Sequence, residues 1–298
     1  METQEVKTPN SDKSILSNKD VKTTKLHTKH SFSLFLSLFA AGLLYSFIES
    51  FWIEQKTYII ASPEIPISFN GTRIVFLTDI HYGDPFSNFQ LSNAIEQAKP
   101  FGPDIILLGG DYVKNSPKFI QPCFDRLKVL NAPLGVYGVL GNHDHWQGAD
   151  LTREYMNKAG IKSIDNNAFW ITKDNQRIRI GGVGDHCEDT QDLNITIKDV
   201  TTNDFTILVS HSPDYAPEIT SDKIDLILSG HTHGGQITFF GLYAPKVPSR
   251  YGQKFRTGKI ILNKIQIIVS NGIGTVFLPV RFFAPPQIII IELKSQKT

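Results

Sequence analysis

Five short apolar segments, each followed within three residues by Asp, Asn or His, constrain the fold of this sequence more than any other feature. Near-continuous apolar segments are typical of strands in a sheet that is buried on both faces, and helix-like stretches alternate with the first three. Such folds place their chemistry at the strand ends on one side of the sheet. The sequence therefore predicts a layered α/β or α+β domain with a polar site. The side chains that follow the five segments are Asp79 and His81, Asp111, Asn142 and His143, His211, and His231 and His233.

The remaining pattern predicts the elements around these five segments. Helical periodicity and a glycine that follows its last turn support a helix ending near Ala159. Short β-branched segments separated by turn residues predict further strands, two of them as a hairpin. The predicted helices are 88–99, 117–130 and 149–159, and the further strands are 176–180, 260–262, 265–269 and 287–293.

The motif at 229–236 is Ser-Gly-His-Thr-His-Gly-Gly-Gln, and its interpretation depends on the other strand-end motifs. In an extended segment the side chains at positions i and i+2 point the same way, so His231 and His233 can face one pocket. The glycines allow a tight turn and a close approach of a ligand. An isolated His-Thr-His would be better interpreted as two exposed loop histidines. The four other strand-end motifs change that interpretation.

The combined donor set consists of oxygen and nitrogen atoms without sulfur. This set suits Mn, Fe, Zn or a similar divalent ion, and it contains too many donors for one ion. Two ions about 3.5–4 Å apart, bridged by a carboxylate, would use all of them and would bind two oxygens of a phosphate. The predicted reaction is hydrolysis of a phosphoester by metal-activated water.

The first fifty residues differ from the rest in composition. Residues 1–30 are polar and rich in lysine, and we interpret them as a disordered tail. Residues 31–48 contain no charge, and a helix of that length covers about 27 Å, close to the hydrocarbon core of a bilayer. A cleaved signal peptide is disfavoured because the apolar run continues beyond Ala40-Ala41-Gly42, and a buried helix because a polar stripe is missing. We therefore predict a membrane-spanning signal anchor at 31–53 and a catalytic domain at 54–298.

The flanking charges predict the orientation of this anchor. Lysines precede the span, whereas acidic residues predominate directly after it, and positive flanks stay in the cytoplasm. We expect a single-pass membrane protein with its large domain outside the cytoplasm. The lysines are Lys19, Lys22, Lys25 and Lys29.

The overall charge and the cysteine count exclude several classes of function. There are 30 Lys and Arg against 29 Asp and Glu, which argues against a broad surface for nucleic acid. The two cysteines, Cys123 and Cys187, rule out a disulfide framework and a cysteine-based zinc site. We expect two unpaired thiols. The sequence does not indicate the oligomeric state.

As an ordered set, the five motifs resemble those of the calcineurin-type metallophosphoesterase superfamily over residues 67–293. The chain is most similar to bacterial membrane-anchored phosphodiesterases of the UDP-2,3-diacylglucosamine pyrophosphatase-like type. These share a Ser-His-Ser-Pro-Asp segment at 210–214, Gly-His-Thr-His-Gly-Gly-Gln-Ile at 230–237 and the closing stretch 278–286. The resemblance implies a four-layer αββα sandwich with a dinuclear metal site, and a phosphoester small molecule or lipid as substrate.

The resemblance also implies a role for each residue. His143 would not bind metal but would stabilise phosphoryl oxygens or protonate the leaving group, with Asp144 orienting it. Apart from the resemblance, Arg281 is a weaker candidate, either for a bidentate contact with a substrate phosphate or only for a pair with a structural carboxylate. The first metal would be held by Asp79, His81 and His233, the bridging position by Asp111, and the second metal by Asn142, His211 and His231.

Departures from related branches narrow the resemblance. The segment after Asp111 lacks the arginine of protein Ser/Thr phosphatases, and Lys114 stands where purple acid phosphatases have a metal-binding tyrosine. A phosphomonoesterase, a nuclease or a catalytically silent membrane-tethered scaffold stays open as an alternative. The mixture of aromatic and cationic residues at 239–256 fits either a phosphate- or membrane-binding loop or an ordinary surface loop. Asp84, His145 and His186 are interpreted as loop residues outside the site.

Overall fold

The computed structural model describes residues 18–83 and 86–297, with side chains from residue 32 onward. The chain divides into two compact units, Met1–Leu44 and Tyr45–Thr298. In the described part, the α-helices are α1 (Asn18–Glu49), α2 (Ser87–Ala98), α3 (Ile120–Leu127), α4 (Asn142–Lys158) and α5 (Leu193–Ile197). The strands are β1 (Glu54–Ser62), β2 (Arg73–Leu77), β3 (Ile105–Leu108), β4 (Val136–Gly138), β5 (Lys162–Ser163), β6 (Asn167–Lys173), β7 (Gln176–Gly182), β8 (Thr206–Val209), β9 (Leu226–Ser229), β10 (Gly258–Leu262), β11 (Ile265–Val269) and β12 (Gln287–Ser295).

The helix α1 contains the uncharged segment. Its part Phe32–Glu49 has 18 residues and a mean hydropathy of 1.7, which is long and apolar enough to cross a membrane. The helix begins at Asn18, so residues 18–30 of the predicted tail are helical. Residues 1–17 lie outside the described part of the chain.

The second unit contains two six-stranded sheets. The first has the order β1-β12-β2-β3-β4-β5 and the second β10-β11-β9-β8-β7-β6. Both sheets contribute side chains to one core between them, which includes Phe76, Leu107, Ile207 and Leu228. This core explains the near-continuous apolar strands, because central strands such as β3 and β8 are covered on both faces.

Helices cover the outer face of each sheet. A second core joins the first sheet to α2, α3 and α4 and includes Leu91, Phe124 and Met156. A third joins the second sheet to short helical segments, through Tyr215 and Ile219 among others. The predicted αββα arrangement of layers is therefore confirmed.

The elements differ from the prediction mainly at exposed positions. Strands β1, β5 and β6 were not predicted; β1 alternates in exposure and is rich in polar residues, and β5 has only two residues. Helix α4 has a kink at Gly148 (φ 130°), so its second segment agrees with the helix predicted from Ala149, whereas the first segment, which carries Asn142 and His143 in its first turn, was not predicted. Both cysteines are unpaired, as predicted.

Candidate metal centre

The five strand-end motifs meet because the strands before them are parallel neighbours. β2, β3 and β4 pair in parallel in the first sheet, and β8 and β9 do so in the second. Parallel neighbours place their carboxyl ends along one edge of a sheet. The two edges lie together, since the backbone N–H of His231 donates to the Asp79 carboxylate at 3.0 Å.

Three overlapping groups of side chains have ligand atoms within 4.8 Å of one another. The first and the third correspond to the two metal positions predicted from the resemblance. The second includes His143, which the resemblance excludes as a ligand. The groups are Asp79, His81 and His233; His81, Asp111 and His143; and Asp111, His211 and His231.

Asp111 lies between the two metal positions. Its Oδ2 atom is 3.4 Å from Nε2 of His81 and 3.3 Å from Nε2 of His211. Its Oδ1 atom accepts a hydrogen bond from the backbone N–H of His143 at 2.8 Å. One carboxylate oxygen is thus fixed, while the other faces a histidine from each triad. This is the arrangement that a bridging ligand requires.

Hydrogen bonds at the opposite ring nitrogens favour a bound cation. Nδ1 of His211 lies 2.7 Å from the carbonyl oxygen of Gly109 and donates to it. In the neutral imidazole, Nε2 therefore carries a lone pair, which faces the carboxylate of Asp111. Nε2 of His81 and Nε2 of His233 also lie only 3.1 Å apart. A cation near the two nitrogens would be bound by a lone pair from each.

A buried oxygen without a partner supports the same conclusion. Oδ1 of Asn142 is inaccessible to solvent and has no hydrogen-bond partner among the described residues. Leaving a buried acceptor unpaired costs about 1–3 kcal/mol. A hard divalent cation would satisfy this oxygen, so the residues present fit the metals that the donor set predicts.

Burial places the imidazoles of His81 and His231 in the state that metals bind. It lowers the pKa of His81 to about 3 and that of His231 to about 4. Burial also raises the pKa of Asp79 to about 6. For Asp111 burial opposes ionisation, but the imidazolium of His211 overrides it and holds the pKa of Asp111 well below its usual range; Asp111 in turn raises the pKa of His211 well above its usual range, against the effect of burial. A metal ion would take the place of the His211 proton beside Asp111.

The ligands lie on unusual backbone. Five of them have positive φ angles between 47° and 67°, in the left-handed region that residues other than glycine rarely adopt. Each such residue costs about 1 kcal/mol or more and persists only where the surrounding structure enforces it. The five are Asp79, His81, Asp111, His231 and His233.

Two glycines make room for the carboxylates. A Cβ atom on Gly141 would lie 2.3 Å from Oδ1 of Asp111, and one on Gly230 would lie 2.1 Å from Oδ2 of Asp79. Both distances are far shorter than any carbon–oxygen contact. The glycines before the Asn-His-Asp and His-Thr-His motifs are therefore required by close packing against the ligands.

The structure corrects the expected role of Asp144. Nδ1 of His143 lies 2.6 Å from the carbonyl oxygen of Lys114, and this carbonyl orients the ring. Asp144 instead accepts from the backbone N–H groups of Asp111, Tyr112 and Gly141, at 2.7, 2.9 and 3.0 Å. A buried carboxylate with three backbone donors fixes the two loops that carry Asp111 and Asn142. Asp144 is thus a positioning residue.

Trp146 is a neighbour of His143 that the sequence interpretation missed. The two ring centroids lie 4.6 Å apart, and the indole is 56% exposed. The signal was present in the sequence, because residues three apart in a helix share a face. His145 and His186 lie outside the three ligand groups, as expected. Asp84 lies outside the described residues.

The surroundings of Arg281 do not support the predicted substrate contact. Its side chain is fully buried and donates to the carbonyl oxygens of His233 (3.2 Å), Asn271 (2.7 Å), Gly274 (2.6 Å) and Ala284 (2.8 Å). Burial lowers the pKa of the guanidinium to about 10, which leaves it charged at neutral pH. Arg281 thus joins the loop of His233 to the loops after β11.

Comparisons with known proteins agree with this geometry. Residues 72–235 match the sequence profile of the family described as Calcineurin-like phosphoesterase. The chain is 32% identical to the uncharacterized metallophosphoesterase YkuE of Bacillus subtilis, over 84% of this chain and 88% of that protein. It is 28% identical to Phosphodiesterase YaeI of Escherichia coli, over 74% and 82% of the two chains.

A relative in zebrafish, Danio rerio, is named "Transmembrane protein with metallophosphoesterase domain". It is 26% identical over 78% of this chain and 55% of its own length. The family profile covers more than half of the chain and includes each of the five strand-end motifs. The chain therefore belongs to the calcineurin-like phosphoesterase family, as a metal-dependent phosphoric ester hydrolase.

Proposed function

We propose that this protein is a membrane-anchored phosphodiesterase or pyrophosphatase that uses two divalent metal ions. The observation that carries the proposal is the position of Asp111, whose Oδ2 atom lies 3.4 and 3.3 Å from one histidine of each ligand triad. A single carboxylate oxygen shared by two triads is suited to two adjacent ions. Mn, Fe and Zn fit the oxygen and nitrogen donors.

The proposed ligand roles correspond to the first and the third of the three groups of side chains described above. Asp79, His81 and His233 would hold one ion, and His211, His231 and Asn142 the other. When bound, the ions lower the pKa of water and neutralise charge on the phosphoryl oxygens.

His143 has the position of an acid or a hydrogen-bond donor to the substrate. Its Nδ1–H is engaged by the Lys114 carbonyl, so Nε2 is left to act on the substrate. Its ring lies 4.6 Å from that of His81 and is partly exposed. A protonated Nε2 would donate to a phosphoryl oxygen or protonate the departing alkoxide.

The substrate class rests on two lines of support. The Escherichia coli relative is named a phosphodiesterase. The apolar helix that precedes the catalytic unit, together with the zebrafish relative's name, supports a substrate near a bilayer, such as a lipid or a nucleotide-linked sugar lipid. A phosphomonoesterase or a nuclease would use the same ligands, because loops around the metals select the substrate.

We also propose the membrane topology. The lysine-rich segment before the span would stay in the cytoplasm of a bacterium, and the catalytic unit would lie outside it. Alkaline phosphatase and green fluorescent protein fused after residue 298 report the two sides of a bacterial inner membrane. Phosphatase activity supports this orientation, and fluorescence alone reverses it.

The function is tested by replacing the shared ligand. The Asp111→Ala protein should lose all measurable hydrolysis of bis-p-nitrophenyl phosphate with added Mn. The matched control is Asp150→Ala, since Asp150 is fully exposed on α4. Full activity of the Asp111→Ala protein would refute the assignment.

Two further measurements separate the alternatives. Metal analysis of the purified chain should give two ions per chain, whereas a silent scaffold would purify without them. Rates on bis-p-nitrophenyl phosphate, p-nitrophenyl phosphate and single-stranded DNA decide between diester, monoester and nuclease activity. A preference for the monoester or for DNA would replace the diester proposal.

A further inference from the structure

Next to the metal centre lies a group of exposed apolar side chains that the phosphoesterase chemistry does not use. Its members come from two loops, one after the His-Thr-His motif and one after β11. Their exposed fractions range from 52% to 83%. We call this group the aromatic face; it consists of Phe239, Phe240, Leu242, Tyr243, Phe277 and Leu278.

The aromatic face is held in place by the loop that carries a metal ligand. The side-chain amide of Gln236 donates to the carbonyl oxygens of Val276 (2.9 Å) and Leu278 (3.2 Å), on either side of Phe277. Arg256 donates to the carbonyl oxygens of Gly234 (3.1 Å) and Gly241 (2.6 Å). Both exposed loops are thus fixed rather than extended freely into solvent.

The two most prominent rings lie on strained backbone. Phe240 has a φ of 52° and Phe277 a φ of 58°, while their side chains are 73% and 82% exposed. A bulky side chain with positive φ is an outlier, and glycine or asparagine would be favoured there on stability alone. Water does not favour an exposed phenyl ring either. Both costs are explained when the rings have an apolar partner.

The charge of the surrounding sequence identifies that partner. Between Leu226 and Ile291 the chain has seven Lys or Arg and no Asp or Glu. One of these cations, Lys246, lies 5.8 Å from the ring centroid of Phe277. Exposed apolar rings on a segment that carries cations and no acidic residue complement a bilayer with anionic head groups.

Contacts with the end of α1 place the aromatic face near a membrane. The ring of Phe283 lies 5.2 Å from that of Phe240 and 5.3 Å from that of Tyr45. The backbone N–H of Arg281 donates to the carbonyl oxygen of Ser46 at 2.9 Å. Tyr45 and Ser46 belong to the last turns of the apolar segment Phe32–Glu49. In an anchored chain these residues lie at one boundary of the bilayer, and so do the loops that contact them.

A cavity beside these contacts extends the apolar surface. It has a volume of about 340 Å³ and is lined by Tyr45, Trp52, Gly241 and Phe283 among others. Such a volume is sufficient for a segment of an acyl chain. Trp52 is 69% exposed, and tryptophan is a residue typical of membrane interfaces.

We infer that the aromatic face inserts into the head-group layer of an anionic lipid bilayer. This inference rests on the proposed membrane anchorage, and it adds a second membrane contact directly beside the metals. The catalytic unit would then be held with its metal centre at the lipid surface. A phosphoester in a lipid head group would reach the metals without leaving the bilayer.

The test uses the full chain in vesicles of phosphatidylethanolamine and phosphatidylglycerol. Phe240→Trp and Phe277→Trp each add one fluorophore, and Val129→Trp is the matched control. Val129 is 55% exposed and follows α3, which leads away from the metal-centre edge of the first sheet. The signal of the unsubstituted chain, which contains Trp52, Trp146 and Trp170, is subtracted.

Lipids brominated near the top of the acyl chain should quench each added tryptophan of the aromatic face at least about twofold, since interfacial side chains reach about 5–10 Å into the bilayer. Bromines near the chain end should quench it less, and the signal that Val129→Trp adds should not change. If the chain floats with the vesicles but both added tryptophans of the aromatic face behave like the control, the inference is wrong.

Other outcomes contradict different statements. If the chain does not float with the vesicles, the anchorage proposal fails as well. If the added tryptophans are not quenched while light scattering in detergent gives a dimer, the aromatic face is an interface between two copies. Loss of hydrolysis would contradict only the proposed function of the metal centre. It would not bear on the aromatic face, because quenching is measured without substrate.

Discussion

At the metal centre, buried or partly buried polar side chains lie on left-handed backbone, whereas on the aromatic face exposed apolar side chains do so. Both groups reverse the usual distribution of polar and apolar residues, and both add backbone strain. A folded chain without a ligand gains nothing from either arrangement. The difference in polarity indicates two different ligands, cations for the buried group and lipid for the exposed one.

Among the substitutions that test this difference between the metal centre and the aromatic face, His143→Gln is expected to have the largest effect, a loss of catalytic rate. Loss of an acid or donor to the substrate should reduce the kcat for bis-p-nitrophenyl phosphate by about a thousandfold. The metal content should not change, because His143 is assigned to the substrate and not to the metals. Both quantities are measured on the same preparation by steady-state kinetics and elemental analysis.

His145→Gln is the matched control for this change and should alter kcat less than about threefold, as expected for a residue outside the site. Loss of metal from the His143→Gln protein would contradict the assignment. It would make His143 a ligand of the middle group that includes His81 and Asp111.

The next effect concerns the close packing of a glycine against the predicted metal ligands. In the Gly141→Ala protein the new methyl group would meet Oδ1 of Asp111 at 2.3 Å and Cε1 of His211 at 2.7 Å. Displacement of ligands by a fraction of an ångström should reduce hydrolysis by about a hundredfold. Gly42→Ala is the control, because nothing lies within 4 Å of a Cβ at Gly42. Equal activity of both proteins would show that the centre tolerates displacement.

A carboxylate outside the centre shows what burial costs without a cation. Burial raises the pKa of Asp225 to about 7, although its carboxylate accepts from the backbone N–H of Thr206 at 2.7 Å. The folded state binds the proton of the Asp225 carboxyl group more tightly than the unfolded state does. Protonation of Asp225 therefore stabilises the folded state fully below about pH 4, and this contribution is lost as the pH rises to about 7.

In the Asp225→Asn protein the free energy of unfolding should not decrease in this way as the pH rises. In the unsubstituted protein we expect a decrease of about 2 kcal/mol, after a discount for partial solvent exposure. Urea unfolding at pH 5 and at pH 8, in about the range where the side chain titrates, measures the difference. Asp222→Asn, at an exposed position, is the control and should retain the pH dependence. An unchanged pH dependence in Asp225→Asn would assign the decrease to other groups.

The smallest effect is expected on the aromatic face. Phe277→Gly relieves a positive φ at an exposed position and should raise the free energy of unfolding by about 0.5 kcal/mol, the difference between relieved strain and the greater chain entropy of glycine. Leu278→Gly, at the neighbouring exposed position without positive φ, should lower it by a similar amount. If both substitutions destabilise equally, the backbone at Phe277 is not strained.

The sequence was sufficient to predict which side chains come together at the strand ends, because parallel strands bring their carboxyl ends together without detailed knowledge of the loops. The layers were predictable for a similar reason, since strands such as Ile105–Leu108 are apolar on both faces. Residues such as Asp111 and His233 could therefore be placed at one edge from their position after a strand.

The features that were not predictable depend on loop conformation. The positive φ angles of the ligands and the bond from His143 to the Lys114 carbonyl depend on backbone that no spacing rule describes. Asp144 was assigned as the partner of His143 from the resemblance, and Arg281 as a candidate phosphate contact from its bidentate fork. In the structure both side chains bind backbone groups, which is how buried polar groups are usually satisfied.

The pairing of β1 with β12 has a consequence for how the chain is made. Glu54 pairs with Gln287, and β12 lies between β1 and β2 in the first sheet. The strand that directly follows the apolar helix must therefore wait for residues synthesised more than two hundred positions later. During that interval β1 has no partner strand in this sheet and one edge of β2 is open. A chain truncated before residue 287 would leave this sheet open, so synthesis of that segment is a checkpoint for folding.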